Sequence, residues 1–331
     1  MRTLTGGPGR QAGILGVGGY RPERVVTTGA VADRLGVSAE WAISRTGMRQ
    51  RHRAGEEETL AMMATAAALR ALTAAGRRGT DVDCVLVATI TNPTPTPAIA
   101  PQVAYSLGTP AAGFDVNSAC AGFCHALELA RVLIAAGSAD CVVVVGADRM
   151  LDIVDPDDRN TAALFGDGAG AVVVAAAPQC GISPVVWGSD GAKAAALEVR
   201  PSSFAFAATP SLGRPWLQMD GTAVARWVAA TVPAAVEAAL RRAGVCWQDV
   251  AAFIPHQAGG RVIDRVVGQL DLPEHVVVAD DLRTTANTSA ASVPLALASL
   301  IEAGRVHRGE LAVLMGFGAG LAYAGQVVRI P

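Results

Sequence analysis

Among the six cysteines of this chain, Cys120 is the one whose neighbours suit nucleophilic chemistry. It lies in Asn117-Ser-Ala-Cys-Ala-Gly-Phe123, after a strand-like segment (113–116) and at the start of a helical stretch (121–137). A cysteine at a helix N-terminus feels about half a positive charge from the macrodipole, which favours the thiolate and hence a nucleophile at neutral pH. The small neighbours Ala119, Ala121 and Gly122 leave room for a substrate and a tight turn. A free cysteine is more often a small buried hydrophobe, and Cys84, Cys141 and Cys246 are expected to be that. No CxxC pair or Cys/His cluster occurs, so no metal site is expected.

Two polar residues and two glycine runs could complete such chemistry. His256 follows Phe253-Ile254-Pro255 at the end of an apolar run, ahead of Gln257-Ala258-Gly259-Gly260, which suits a helix start. A lone histidine is more often structural than catalytic. Asn287 opens Asn-Thr-Ser-Ala-Ala-Ser292 and, taken alone, is most simply a helix N-cap. Gly316-Phe-Gly-Ala-Gly320 could aim backbone N–H groups at a developing oxyanion. It lacks the GxxxxGK[ST] or GxGxxG-then-helix context of a phosphate loop, and Gly16-Val-Gly-Gly19 runs straight into Tyr20-Arg21-Pro22, so neither run is a nucleotide site. The dense basic patch from Arg45 to Arg53 is followed by Glu56-Glu-Glu58. It reads equally as a self-compensating surface loop or as a site for a phosphorylated carrier such as coenzyme A, with Trp41 as a stacking face.

These residues need a scaffold. Of the 331 residues 51% are hydrophobic and 17% charged, below the ~25% charged share of an average soluble protein. That implies a large core and a buried oligomer interface. A net charge of −2 without like-charge blocks gives no footprint for nucleic acid or an anionic membrane. Lys193 is the only lysine, so Schiff-base chemistry has a single candidate. The first ten residues lack a signal peptide's apolar run, and no apolar stretch approaches the ~18 residues of a membrane span. A cytoplasmic protein with reduced cysteines is expected.

Apolar, β-branched runs at 82–89, 141–146, 169–176, 250–255 and 311–315 alternate with helix-length stretches at 59–75, 121–137, 223–243 and 293–304. The alternation predicts an α/β fold whose strands are buried on both faces. The chain also repeats itself. Leu72-x-x-Ala75-Gly76-x4-Asp81-Val82 matches Leu240-x-x-Ala243-Gly244-x4-Asp249-Val250 at an offset of 168, and Asn117-Ser-Ala matches Asn287-Thr-Ser at 170. The strands ending at Gly146 and Gly316 match at 170 as well. Two homologous halves are therefore expected, 1–178 carrying the cysteine and 179–331 carrying His256 and Asn287. Equivalent loops of the halves would face one cleft, where α/β folds hold ligands.

Taken together, Ser-Ala-Cys120-Ala-Gly-Phe, Pro-His256-Gln-Ala, Asn287-Thr-Ser-Ala-Ala-Ser and Gly-Phe-Gly-Ala-Gly320 resemble the β-ketoacyl-ACP synthase III family, its actinobacterial members most of all. The resemblance runs from about Gly13 to Pro331. It implies the thiolase-like five-layered αβαβα fold and a homodimer. It implies Cys120, His256 and Asn287 as catalytic residues and the N–H groups of Cys120 and Ala319 as the oxyanion hole. Trp41, Arg45 and Arg159 would bind coenzyme A, and Arg226 and Arg261 the acyl carrier protein. Thr96 falls where a phenylalanine closes the acyl pocket of short-chain members, which implies a longer channel here. The partners would be acyl-CoA and malonyl-ACP, with neither metal nor organic cofactor, and no nucleic acid or membrane. Gly259, Ala225 and Leu321-Ala-Tyr-Ala-Gly depart from the family's usual residues, and leave fatty-acid priming and specialised-metabolite starter loading both open.

Overall fold

The computed structural model describes residues 3–7 and 9–331. Ten strands form two five-stranded sheets. The first holds β1 (Ala12–Tyr20), β2 (Cys84–Ala88), β3 (Ala112–Val116), β4 (Cys141–Arg149) and β5 (Asp167–Ala176). The second holds β6 (Val186–Ser189), β7 (Val250–Pro255), β8 (Val277–Val278), β9 (Leu311–Gly318) and β10 (Ala322–Arg329). The spatial orders are β1-β5-β4-β2-β3 and β6-β10-β9-β7-β8, the same sequence of strands in each sheet. In both, the three strands at one end run parallel and the remaining pairs antiparallel.

Seven helices matter for the site: α1 (Ala39–Thr46), α2 (Leu60–Ala74), α3 (Ala100–Ser106), α4 (Gly122–Ala136), α5 (Gly221–Ala243), α6 (Gly260–Val267) and α7 (Ser292–Glu302). Helix α2 packs on the outer face of the first sheet and α5 on that of the second, while α4 and α7 lie between the sheets and touch both. The result is five layers, with three cores between them. Val142 and Val144 face the central core, whereas Val143 and Val145 face the core under α2. This two-sided burial is why the strands read as unbroken apolar runs.

Gly16 and Gly18 of β1 serve packing. A Cβ at Gly18 would lie 2.4 Å from the Ala71 nitrogen, so glycine lets the alanine-rich face of α2 settle directly on the strand.

Three expectations need correction. The segments Ala119–Ala136 and Gly221–Ala243 are long and apolar enough to cross a membrane by length and composition, although no such stretch was expected. Both pack against sheets here, and the apolarity of the first is that of a helix enclosed between two of them. Cys246, expected in the core, is exposed, with its thiol 3.3 Å from Asp249 Oδ2. The basic patch is no uniform surface loop: Arg51 is fully buried and donates to the Ala162 carbonyl at 2.9 Å, whereas Arg45 and Arg53 are exposed.

Candidate active site

After β3 the chain makes one turn of 3-10 helix, Ala119–Ala121, and enters α4. Ala119 adopts the left-handed conformation, φ 45°, which turns the backbone sharply enough to set Cys120 at the helix entrance. The equivalent turn of the other half, Ser289–Ala291 ahead of α7, repeats this geometry with Ser289 at φ 52°. The two turns abut, and the Cys120 thiol donates to Ser289 Oγ at 3.5 Å. Behind them β9 passes so close that a Cβ on Gly318 would lie 2.8 Å from Cys120 Cβ. This glycine is the one in the Gly316–Gly320 run that the site's geometry demands.

Cys120 is only 6% exposed. Burial pushes its thiol up to about 12, with Asp148 adding to the rise and the Ser289 hydroxyl opposing it. The dipole argument made from the sequence is thus outweighed by desolvation, and the resting group is a thiol.

His256 leaves the end of β7 with its N–H bonded to the Met315 carbonyl at 2.7 Å. Its ring meets Phe317 edge-on, centroids 5.3 Å apart. Nδ1 lies 2.6 Å from Ser292 Oγ, and the Gln257 N–H donates to the same oxygen at 3.4 Å. With Oγ accepting from Gln257, the Ser292 hydroxyl donates to Nδ1, which assigns the ring proton to Nε2. Burial pushes His256 down to about 3, so the imidazole is neutral.

Asn287 is held by backbone bonds to Leu164 and Gly166, 2.9 and 3.0 Å. Its Oδ1 accepts the Ser289 N–H at 2.9 Å, so the amide caps a local turn, as the plain reading of its sequence expects, and its Nδ2 donor remains for the pocket.

Cys120, His256 and Asn287 line one narrow cavity of about 110 Å³ together with Phe317 and Gly318. It opens into a vestibule of about 610 Å³ whose wall includes Trp41, Arg45, Arg159, Arg261 and Arg265. Ala225, Met219 and Leu164 border both spaces. Arg45 stacks over the Trp41 ring at 4.9 Å, and Arg159 donates to the Leu35 carbonyl at 3.2 Å. Arg261 donates to the Ser44 carbonyl at 3.0 Å, at the mouth between the two spaces.

Other expected residues stand apart. Ala319 directly follows β9 and is half-buried. Arg226 is exposed on α5, next to Ala225. Thr96 is exposed on the loop before α3 and borders neither space.

Three residues of this site were not singled out from the sequence: Ser289, Ser292 and Asp148. Ser289 and Ser292 sit in the Asn287–Ser292 run, and the 170-residue offset that pairs Ser289 with Ala119 was the available signal. Asp148, at the end of β4, is bonded by Thr89, Thr91 and Ala290, which come from distant parts of the chain, so spacing could not reveal it.

Two superposable α/β halves that give a nucleophile from one and hydrogen-bonding groups from the other define the thiolase-type acyl-transferring enzymes. Comparison narrows the class. The model of the 3-oxoacyl-[acyl-carrier-protein (ACP)] synthase III family matches residues 114–191, and that of its C-terminal region residues 240–330. The β-ketoacyl-ACP synthase III 1 of Streptomyces coelicolor is 45% identical over 97% of this chain and 96% of its own. The mycobacterial β-ketoacyl-ACP synthase III of Mycobacterium marinum is 44% identical over 96% of each chain. Among solved structures, the priming β-ketosynthase of the R1128 polyketide pathway superposes with a TM-score of 0.96 at 45% identity, covering 99% of this chain and 98% of the other. The Pseudomonas aeruginosa 3-oxoacyl-ACP synthase III gives 0.89 at 39% identity over 97% and 99%. The chain belongs to the β-ketoacyl-ACP synthase III family, and its fold is the thiolase fold.

Proposed function

We propose that this enzyme joins an acyl-CoA primer to malonyl-ACP by a cysteine-dependent decarboxylative Claisen condensation, so starting fatty-acid or polyketide chains. In the first half-reaction Cys120 attacks the primer thioester and coenzyme A leaves, with the N–H groups of Cys120 and Ala319 receiving the oxyanion. In the second, malonyl-ACP enters and loses CO2. The enolate is held by hydrogen bonds from His256 Nε2 and Asn287 Nδ2, and its carbon attacks the acyl-cysteine. Each such donor is worth roughly 3 kcal/mol of barrier. Neither step calls on a metal or an organic cofactor.

The carrying observation is the shared pocket: one sulfur nucleophile faces a neutral imidazole and a carboxamide at the bottom of a basic vestibule. Acyl transfer alone needs no enolate stabilisation, so the second pair of donors favours condensation. Trp41, Arg45 and Arg159 fit an adenine and its phosphates. Arg261 at the mouth and Arg226 nearby fit an acidic carrier protein.

We further read the enzyme as a homodimer joined along β3. That strand is a free sheet edge with Phe114 43% exposed, beside Tyr105 of α3 at 85%. The Thr96 loop is tied to this edge, because Asp115 of β3 accepts the N–H groups of Ile99 and Ala100, both at 2.9 Å. Thr96 would thus meet the partner's acyl pocket and leave it open to longer primers.

Loading of a specialised-metabolite starter is the second reading. It is favoured by the likeness to a priming ketosynthase and by the small Ala225 bordering both spaces. Intact-protein mass spectrometry with a panel of acyl-CoAs, followed by malonyl-ACP, separates the two. A single acyl mass on wild type, absent from Cys120→Ala and discharged as β-ketoacyl-ACP, is the expected result and names the primer. Loading without condensed product would make the enzyme a transferase, and no loading at all would refute both readings.

A further inference from the structure

We propose that Ser289 and Asp148 form a proton relay behind the nucleophile, in which Ser289 takes the Cys120 proton during acylation and Asp148 holds it until the departing thiolate takes it back. The inference rests on the acyl-CoA reading above and adds to it a base for the first half-reaction.

The need for such a base follows from the site. Cys120 is a buried thiol and must lose its proton to attack. His256 cannot readily take it, because its Nδ1 is engaged by Ser292 and Nε2 already carries the ring proton. The thiol donates instead to Ser289 Oγ at 3.5 Å. The Ser289 hydroxyl in turn hydrogen-bonds the Asp148 carboxylate.

Asp148 is wholly buried, and among the described residues no arginine, lysine or histidine forms an ion pair with it. Its Oδ1 accepts Thr89 Oγ1, Thr91 Oγ1 and the Ile90 N–H, each at 2.9 Å. Oδ2 receives only the Ala290 N–H in addition to Ser289, at 3.1 Å, so it is the oxygen with room for a proton. Burial holds this carboxyl above the ordinary carboxylate range, which suits a group that must accept a proton briefly.

The step balances. The sulfur lone pair forms the new C–S bond as the thioester's own C–S bond breaks. The thiol proton passes to Ser289 Oγ while the Ser289 proton passes to Asp148 Oδ2. The leaving coenzyme A thiolate reverses the transfer and departs as the thiol.

The test is single-turnover acylation of the full-length protein by acyl-CoA, followed by quench and intact mass, for wild type, Ser289→Ala and Asp148→Asn. Alanine suits this backbone, since Ala119 holds the same conformation in the other half. Ser289→Ala should load about 10²-fold more slowly, the contribution expected of general base catalysis. It should also lose the wild-type solvent deuterium isotope effect on loading, and its rate should climb with pH as hydroxide makes the thiolate. Once loaded, it should condense with malonyl-ACP at the wild-type rate. Asp148→Asn should behave alike; if it fails to fold, Ser289→Ala decides alone. Loading by Ser289→Ala within about threefold of wild type overturns the relay, as does an equal loss in both half-reactions. Failure of wild type to load at all refutes the acyl-CoA reading instead, so the two failures are distinct.

Discussion

Gly318→Ala isolates how closely the strand must approach the nucleophile. The added Cβ would sit 2.8 Å from Cys120 Cβ, 3.1 Å from its Sγ and 3.2 Å from its N. Carbon atoms prefer a separation of about 3.5–4.0 Å, so something must move by roughly 1 Å. The strand cannot yield, because a Cβ on the neighbouring Gly316 would already lie 2.9 Å from Ala121 Cα. Cys120 and its turn must therefore give way. Overpacking of this kind costs about 1–3 kcal/mol of stability, a fall of several degrees in Tm at roughly 2–4 °C per kcal/mol. A misplacement of ~1 Å at a reacting group costs about 10²-fold in rate. Thermal melting and the acyl-loading rate should diverge accordingly, with folding mostly kept and loading mostly lost. A variant that loads within about threefold of wild type would refute the argument that this close contact sets the nucleophile.

Acid stability should report the burial of His256. Its folded value of about 3 lies below the unfolded value of ~6.5, so in that window the unfolded chain binds a proton that the folded chain does not. Stability is therefore lost as pH falls through ~6.5, at up to about 1.4 kcal/mol per pH unit. The Tm of His256→Gln relative to wild type should rise on going from about pH 8 to about pH 5, and an unchanged difference would contradict the assignment. Arg45→Ala and Arg159→Ala should raise KM for acyl-CoA by roughly tenfold, a loss of about 1.4 kcal/mol. They should leave turnover of a truncated thioester without the nucleotide unchanged, whereas equal losses on both primers would deny the vestibule its role. Thr96→Phe should shift primer preference toward shorter chains in a competition assay, and an unchanged preference would remove Thr96 from the acyl pocket.

The architecture was legible because burial writes itself into sequence. Strands enclosed on both faces became continuous valine runs, and the 168–170-residue repeat survived in the turns that abut at the active site. The hairpins Arg24–Thr27 with Gln50–Arg53 and Leu197–Arg200 with Trp216–Met219 were not legible, since they are short, charged and partly exposed, with no apolar period. Cys120, His256 and Asn287 could be read from motif and repeat, but the charge state of Cys120 could not. The helix dipole is a local property visible in sequence, whereas desolvation depends on what the other half lays over the thiol. Asp148 was hidden for the same reason, its hydrogen-bond donors being dispersed along the chain.

The most direct test of the account is to follow acyl-enzyme, CO2 and β-ketoacyl-ACP together in wild type and Asn287→Ala after malonyl-ACP is added to the loaded protein. The account predicts one CO2 for each β-ketoacyl-ACP in wild type. It predicts an Asn287→Ala enzyme that loads normally yet discharges slower by roughly 10²-fold or more. Condensation by Asn287→Ala at the wild-type rate, or acyl discharge in wild type without CO2, would contradict it.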